Sequence, residues 1–525
     1  MNWRHYAILF FVGLVVPSTI SRFQSLPGYM DADYYYAGGM QLATGKGFNE
    51  PYLWNYLDDP QSLPHPSHTY WMPLASIVSA AGMRIAGNTG YEAGRITFIL
   101  LSACVPLLTA TLAYSLSRKT LLAMISGLLS VFALYYSPFM PVPDNYAIFM
   151  LLGGTFLLLA PRTQRWIPIA LGALAGLMTL ARSDCLLWLG LAGLTVMWNA
   201  VNKEDGTKNS FIEWFKLIVP AGLFAVLGYL LIMGPWHLRS MNLFGSFMAP
   251  GGGRLLWLEN YNQTFAYPAE LITREGFLKA GWGAALQDRL AAFGSNFGNA
   301  IGAQGELFLL PFIIIGLWNL RKDVRTKITV TGWLLLFAVM TIIFPFAGSR
   351  GSFFHSGAAF QPYWWVVAPI GLDALVTSAY EKKKITDPNL QIVSQVSLVL
   401  IAVIATGYLV FGHTIEGGGK KEDRVYPSVE QKLLDNGISP TDVVIVRNPP
   451  GYYISTGRSA IVLPFGDEST ILAVAQKFNA RYLIIEKSGT FDLIQKLYDE
   501  PQSNASFHYL GEVNGARLYQ IETTP

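Results

Sequence analysis

Residues 6–20 read YAILFFVGLVVPSTI, and about ten positions past their end residues 30–36 read MDADYYY. The first stretch follows Arg4, and no small-x-small cleavage site comes after it, so it is expected to remain as the first membrane span. The second sets two carboxylates, Asp31 and Asp33, at the mouth of whatever bundle that span begins. An acid pair in that position is not required for folding, and it suits chemistry on a lipid-borne substrate.

The whole chain agrees with a membrane setting. Its 525 residues are 52% hydrophobic and 14% charged, with mean hydropathy +0.35, whereas about a quarter of an ordinary soluble chain is charged. The net charge of +3 is small and its basic residues are dispersed, which excludes nucleic acid as a partner. Cys104 and Cys185 sit in apolar segments without metal-ligand company and read as buried thiols.

Apolar stretches able to cross a core of about 30 Å begin near residues 5, 94, 120, 145, 166, 185, 212, 303, 328, 358 and 391, which gives eleven crossings. The segment Pro73 to Asn88 carries Arg84 and is short for a span, so it is read as an interfacial helix on the outer surface. With the N-terminus cytoplasmic, the basic turns at Arg118-Lys119, Arg162/Arg165, Lys203/Lys208, Arg321/Lys322/Arg325/Lys327 and Lys382–Lys384 all fall inside. The short outer turns then hold only Arg182 and Arg350. The expected fold class is a polytopic α-helical membrane protein with interfacial helices in the first outer loop and a small extracytoplasmic α/β domain. Residues 1–412 form the membrane domain with outer loops 22–73 and 236–302, and residues 413–525 form the tail domain. In that tail, strands are expected at Val443 to Val446, Tyr482 to Ile485, Phe507 to Val513 and Arg517 to Ile521, with helices at Glu468 to Phe478 and Phe491 to Tyr498. The sequence has no internal repeat, which argues against the duplicated build of many secondary transporters.

The polar residues capable of chemistry collect on the outer face. MDADYYY leads into a helix ending at Thr44, where Gly45-Lys46-Gly47 breaks it. Asp31 and Asp33 therefore stand at a helix start, whose dipole keeps them ionised. An ionised carboxylate beside an acceptor hydroxyl can act as general base; helix capping is the plainer role. Asp144 follows the proline-rich turn Ser137 to Pro143 and would serve either as an N-cap or as a third acid on that face. Arg182 and Asp184 would satisfy each other as an ion pair or bind an anion. Arg350 and His355 lie in GSRGSFFHSG, where the glycines allow backbone donors to approach a ligand. The Arg350 fork suits a phosphate. His355 would assist the departing phosphate or hydrogen-bond at the interface. Arg239, beyond Trp236 and His237, reads as a snorkelling residue. His65, His68, Tyr70 and Trp71, with Trp54 and Tyr56 upstream, suit a sugar site or an aromatic belt, and Pro66 between the two histidines speaks against zinc.

Taken together, these motifs resemble the GT-C superfamily of integral-membrane glycosyltransferases over roughly the first 380 residues. Spacing back from Leu42-Ala43-Thr44-Gly45 puts Asp31 where the aminoarabinose transferases and protein O-mannosyltransferases carry a catalytic Asp. Ala32 replaces their usual second acid. With Asp33 the motif looks like the DxD of oligosaccharyltransferases, where it helps bind a divalent metal; the resemblance leaves open a metal (Mg or Mn) held by Asp31 and Asp33 or a bare base without one. His65-Pro66 followed by Pro73-Leu74 is similar to the segment before the flat outer helix in these families. Asp144 matches the acid of their second outer loop, and Arg350 lies where several members place a basic residue against the donor phosphate. No WWDYG-like segment is present, which departs from the oligosaccharyltransferases.

The resemblance implies an inverting transferase of the plasma (inner) membrane. It would move a sugar from a polyprenyl-phosphate donor to a hydroxyl or amide on a glycan, lipid or protein acceptor, among membrane lipid and on the outer face. Asp31, shared with Asp33, would be the base, and Arg350, Arg182 and His355 would meet the phosphate. The rival readings are a transporter or flippase of a lipid-linked sugar, which predicts charges at mid-membrane depth that are nearly absent, and a tail that acts as a receptor on a membrane anchor.

Overall fold

The computed structural model describes residues 1–201, 211–382, 387, 389–416, 425–487 and 491–522. Of the basic residues assigned to inner turns, Lys203, Lys208, Lys383 and Lys384 lie outside the described residues. Compactness divides the chain into a helical unit of residues 1–23, 95–239 and 288–416 and a mixed unit of residues 24–94, 240–287 and 417–525.

Among the described residues, Trp3–Ser21, Tyr91–Ser117, Phe215–Phe244, Val324–Ile343 and Leu390–Val410 are long and apolar enough to cross a membrane. Shorter apolar helices, among them Thr120–Val131, Tyr146–Leu159, Ile167–Ala181 and Leu310–Asn319, complete the bundle among the described residues. With lipid as solvent, burial of apolar surface does not drive helices together, so backbone proximity has to. Glycine supplies it. A Cβ on Gly316 would stand 2.1 Å from the Val367 carbonyl oxygen, and one on Gly371 2.0 Å from that of Phe312, so Leu310–Asn319 and Gln361–Glu381 touch main chain to main chain. Gly172 and Gly228 make the same kind of crossing against Ala225 and Ile169.

The mixed unit is built on an open sheet. In chain order its elements are α1 (Met30–Ala43), β1 (Asn49–Glu50), β2 (Tyr52–Leu53), β3 (His65–Pro66), α2 (Leu74–Ala86), α3 (Val425–Asp435), β4 (Val443–Val446), α4 (Pro449–Thr456), β5 (Ala460–Val462), α5 (Glu468–Phe478), β6 (Ala480–Ile485), β7 (Phe507–Val513) and β8 (Ala516–Ile521). The six-stranded order is β2-β5-β4-β6-β8-β7, with β2, β5, β4 and β6 parallel and β8 and β7 antiparallel. The first loop therefore contributes an edge strand to the tail's sheet, with Tyr52 opposite Ala460 and Leu53 opposite Ile461. Side chains alternate across that sheet. Val444, Val446, Ile484 and Leu518 pack with Tyr426, Val429 and Leu433 of α3 and Tyr452 of α4. Ile445, Leu483, Ile485 and Tyr519 pack with Ile471, Val474 and Phe478 of α5 and with Leu53 and Tyr56 of the first loop.

The strands expected at 443–446, 482–485, 507–513 and 517–521 and the helix at 468–478 are present. The segment expected as helix from Phe491 to Tyr498 forms a 3-10 turn and a short helix ending at Asp499. Residues 74–86 form a helix of 13 residues stopped by left-handed Gly87, about 20 Å long at 1.5 Å per residue and too short to cross. It lies on α1, where a Cβ on Gly38 would meet Ser76 Oγ at 2.6 Å and one on Gly39 would meet Ser79 Oγ at 2.8 Å.

The glycine crossing gives a direct test. Gly371→Val forces methyl groups into the Phe312 carbonyl, and overpacking of this kind typically destabilises by about 1–3 kcal/mol. The variant is expected to unfold at lower temperature in detergent than Leu375→Val, a change at an exposed position of the same helix.

Candidate active site

The acid motif folds as expected, with Asp31 and Asp33 in the first turn of α1. Their surroundings differ. Asp31 is half-buried, whereas Asp33 is 1% exposed and its Oδ2 accepts a hydrogen bond from Asn448 Nδ2 at 2.8 Å. Positions two apart on a helix leave the axis on different sides, so one environment does not serve both.

The tyrosines that follow point inward. Tyr34 Oη donates to Glu50 Oε2 at 2.6 Å and accepts from the His68 backbone N–H at 2.6 Å. Burial, then the negative field of Glu50, pushes the Tyr34 phenol well above its ordinary value, so it stays a donor. Tyr36 Oη donates to the Thr89 carbonyl at 2.8 Å, and the Tyr35 carbonyl accepts from Ser76 Oγ at 2.9 Å. His68, held at φ 62°, is bonded through Nδ1 to Ser67 Oγ at 2.7 Å and through Nε2 to Ser76 Oγ at 2.9 Å. His65 Nε2 meets Asp58 Oδ2 at 2.8 Å, both buried. Trp71 stacks on Trp54 with centroids 3.8 Å apart, and Tyr70 sets its edge against Trp54 at 4.8 Å. The four residues expected at a sugar thus lie together. His65, His68 and Trp71 are interior, and half-buried Tyr70 is their outward member.

A second constellation forms in the helical unit. Asp144, 1% exposed, accepts from the Asn145 backbone N–H at 2.6 Å and lies 3.2 Å from His355 Nε2. His355 Nδ1 faces the Gly351 carbonyl at 3.0 Å, and Nε2 also meets Tyr146 Oη at 2.9 Å, with the two rings stacked at 4.6 Å. The Gly351 carbonyl sets the proton on Nδ1, so a second proton arriving at Nε2 is received beside the Asp144 carboxylate. Arg182 Nε donates to Asp184 Oδ1 at 3.1 Å, and its Nη2 donates to Ser352 Oγ at 2.8 Å. Ser356 Oγ donates to the other Asp184 oxygen. Arg182 and His355 are thereby tied to one turn, the turn that carries exposed Arg350.

The glycines of that turn are explained by packing. A Cβ on Gly348 would stand 2.0 Å from the Met340 carbonyl oxygen and one on Gly357 2.4 Å from Gln304 Nε2, while Gly351 holds φ 119°. Beside them a groove of about 470 Å³ is lined by Tyr135, Phe139, Asn296, Asn299, Gly351 and Phe354, among others.

Sequence reading passed over Glu50, Asn448, Tyr146, Ser352 and Ser356. Ser352 and Ser356 lie inside the quoted motif. Glu50 and Asn448 carried no local signal, since each is defined by a partner from another segment.

No protein-family model matches the chain, and no curated protein matches its sequence. Solved structures do match. ArnT from Cupriavidus metallidurans bound to undecaprenyl phosphate superposes with TM-score 0.56 at 14% identity, over 99% of this chain and 98% of that one. The apo form of the same protein gives 0.57 at 14% identity over 98% and 97%. The archaeal oligosaccharyltransferase AglB from Archaeoglobus fulgidus, in complex with an inhibitory peptide and a dolichol-phosphate, gives 0.54 at 13% identity over 95% of this chain and 71% of that one. The chain is an integral membrane protein that shares the fold of ArnT and AglB.

Asp31 and Asp33 diverge on the helix, Asp33 Oδ2 is held by Asn448, and among the described residues no three His, Cys, Asp or Glu side chains gather in one place.

Tyr34→Phe removes a hydroxyl that serves both Glu50 and the His68 amide. Leaving those buried groups without their partner is expected to destabilise the protein by about 1–3 kcal/mol, read as a lower denaturation midpoint; an unchanged midpoint would remove Tyr34 from its place at the centre of this cluster.

Proposed function

We propose that the protein is an inverting GT-C glycosyltransferase that takes a sugar from a polyprenyl-phosphate donor and passes it to a hydroxyl or amide of a glycan, lipid or protein acceptor. The observation that carries this reading is a half-buried carboxylate, Asp31, at the start of the helix that follows the first apolar segment, in a chain whose fold is that of ArnT and AglB. Those proteins were captured with undecaprenyl phosphate and dolichol-phosphate, which supports the same donor class. The N-terminus is taken as cytoplasmic and the reaction as extracytoplasmic at the inner membrane, on the bias of basic turns.

In this reading Asp31 accepts the proton of the acceptor group as its oxygen or nitrogen bonds to the anomeric carbon. The bond from that carbon to the phosphate oxygen breaks on the opposite face, and its electron pair leaves with the lipid phosphate. One base is enough, because the leaving group is already a stable anion; glycosidases, whose leaving group needs a proton, flank the bond with two carboxylates. Arg350, with Arg182 behind the same turn, supplies positive charge to that anion. His355, its second nitrogen beside Asp144, can lend it a proton. The groove next to Gly351 and Phe354 offers an apolar bed for the isoprenoid nearest the phosphate. Half-buried Tyr70, set edge-on against the interior Trp54–Trp71 stack, is the aromatic residue offered to the sugar or the acceptor.

Asp31→Asn should lower turnover by about 10²- to 10⁴-fold, the usual worth of a positioned base, while the purified protein keeps its thermal midpoint. Arg350→Ala should act chiefly on the donor, raising KM for undecaprenyl-phosphate sugars. Consumption of a panel of such donors, followed with and without EDTA, tests both the class and the base. Full activity in EDTA is expected of a bare carboxylate. Full turnover by a folded Asp31→Asn protein would overturn the assignment.

A further inference from the structure

The chain's tail reaches the acid helix directly. Asn448 lies in the turn after β4, and its two amide atoms are both used: Nδ2 donates to Asp33 Oδ2 at 2.8 Å, and Oδ1 accepts from the Gly451 backbone N–H at 3.1 Å, capping α4. Two helical turns along α1, Gln41 Nε2 donates to Tyr453 Oη at 2.7 Å. The Tyr453 ring lies 5.4 Å from that of Tyr52, in the strand that the first loop adds to the tail's sheet. The junction is closed, since a Cβ on Gly451 would stand 2.4 Å from Asn448 Nδ2 and 3.0 Å from Asp33 Oδ2.

The position in the sheet is also distinctive. The chain leaves β4 to form β5 on one side and later β6 on the other, so the turn after β4 opens at the point where strand order reverses. In open α/β sheets that crevice ordinarily receives a ligand. In this protein the turn receives Asp33.

We propose that Asp33 and Asn448 form a latch, and that Asn448 is a positioning residue through which the tail domain sets the first turn of α1 and so aims Asp31. The inference rests on reading Asp31 as the base. Asp33 itself takes no part in proton transfer: at 1% exposure with an oxygen committed to an amide, it leaves no approach for an acceptor. The tail is then a working part of the transferase, since a base displaced by about 1 Å can lose about 10²-fold in rate.

The test exchanges the two side chains. In the full-length protein in nanodiscs, Asn448→Asp sets one carboxylate against another, whereas Asp33→Asn keeps one oxygen for the Asn448 amide and gives up the charge that strengthens the bond. Asn448→Asp is expected to lower turnover by about 10²-fold with undecaprenyl-phosphate monosaccharides and Asp33→Asn by less, each with little change in donor KM. The double variant Asp33→Asn/Asn448→Asp restores one donor and one acceptor in the same shape, and keeps an oxygen to cap α4. It is expected to recover most of the lost turnover. Hydrogen exchange of the α1 amides gives a second readout independent of chemistry, with protection falling in each single variant and returning in the double. Recovery of both supports the latch. A double variant as slow as Asn448→Asp, or an Asn448→Asp protein with native turnover and protection, overturns it. Should the wild-type protein consume none of the donors, the transferase reading falls, and the exchange data decide the latch alone.

Discussion

A carboxylate withdrawn from water must be met by a donor, and this requirement organises the acids of both units. Leaving such a group unpaired costs several kcal/mol. Asp33 is met by Asn448, Glu50 by Tyr34, Asp58 by His65, Asp144 by His355, and Asp184 by Arg182 and Ser356. Three of these pairs join segments far apart in the chain, Asp33 and Asn448 by 415 positions. The pairs add little net stability, because desolvation offsets their attraction. What they supply is placement, since each can be satisfied in only one arrangement of the backbone.

Against that background Asp31 stands apart. It shares a helix turn with Asp33 and the same helix dipole, yet the fold leaves it half in solvent. A group meant to gain and lose a proton has to be reached by its partner, while a group meant to hold a helix is better sealed. Under the proposed function the motif DAD divides two tasks between residues of the same type, and the roughly 200° of helix rotation between them is the physical means.

Much of this was legible in the sequence because it is local. The helix from Met30, its end before Gly45, the four tail strands with their short apolar runs and the helix at Glu468 all declare themselves within a few residues. What stayed hidden is non-local or too short to show a period. β2 is two residues and β5 three, and neither length can display alternation. Pro449-Pro450-Gly451 reads as a turn, yet Pro at the first helical positions behind an Asn cap starts α4. Helix α3 had a polar, amphipathic sequence and was passed over; its Glu430 is gripped at both oxygens by buried Arg458. The site residues follow the same division. Asp31, Asp33, Asp144, Arg182 and His355 stand out by type in apolar surroundings, whereas Glu50 and Asn448 acquire meaning only from their partners.

The glycine-rich turn shows how a correct motif can carry a different physical cause. GSRGSFFHSG suggested backbone opened to a ligand, but two of its glycines are occupied by neighbouring main chain and side chain, Gly348 by Met340 and Gly357 by Gln304. Both neighbours lie in π-helical turns, residues 339–343 and 300–304, and residues 348–352 form a third. Such turns widen a helix and displace its carbonyls, and they recur at functional sites because they re-aim side chains at modest expense. Here the displaced Gly351 carbonyl is the one that holds His355 Nδ1. With Tyr146 and Asp144 at the other nitrogen, the ring is fixed in plane and tautomer before any ligand arrives. The glycines therefore serve the site through rigidity: they let three wide turns pack closely enough to hold one imidazole still, and the neighbouring Arg350 inherits its position from the same packing.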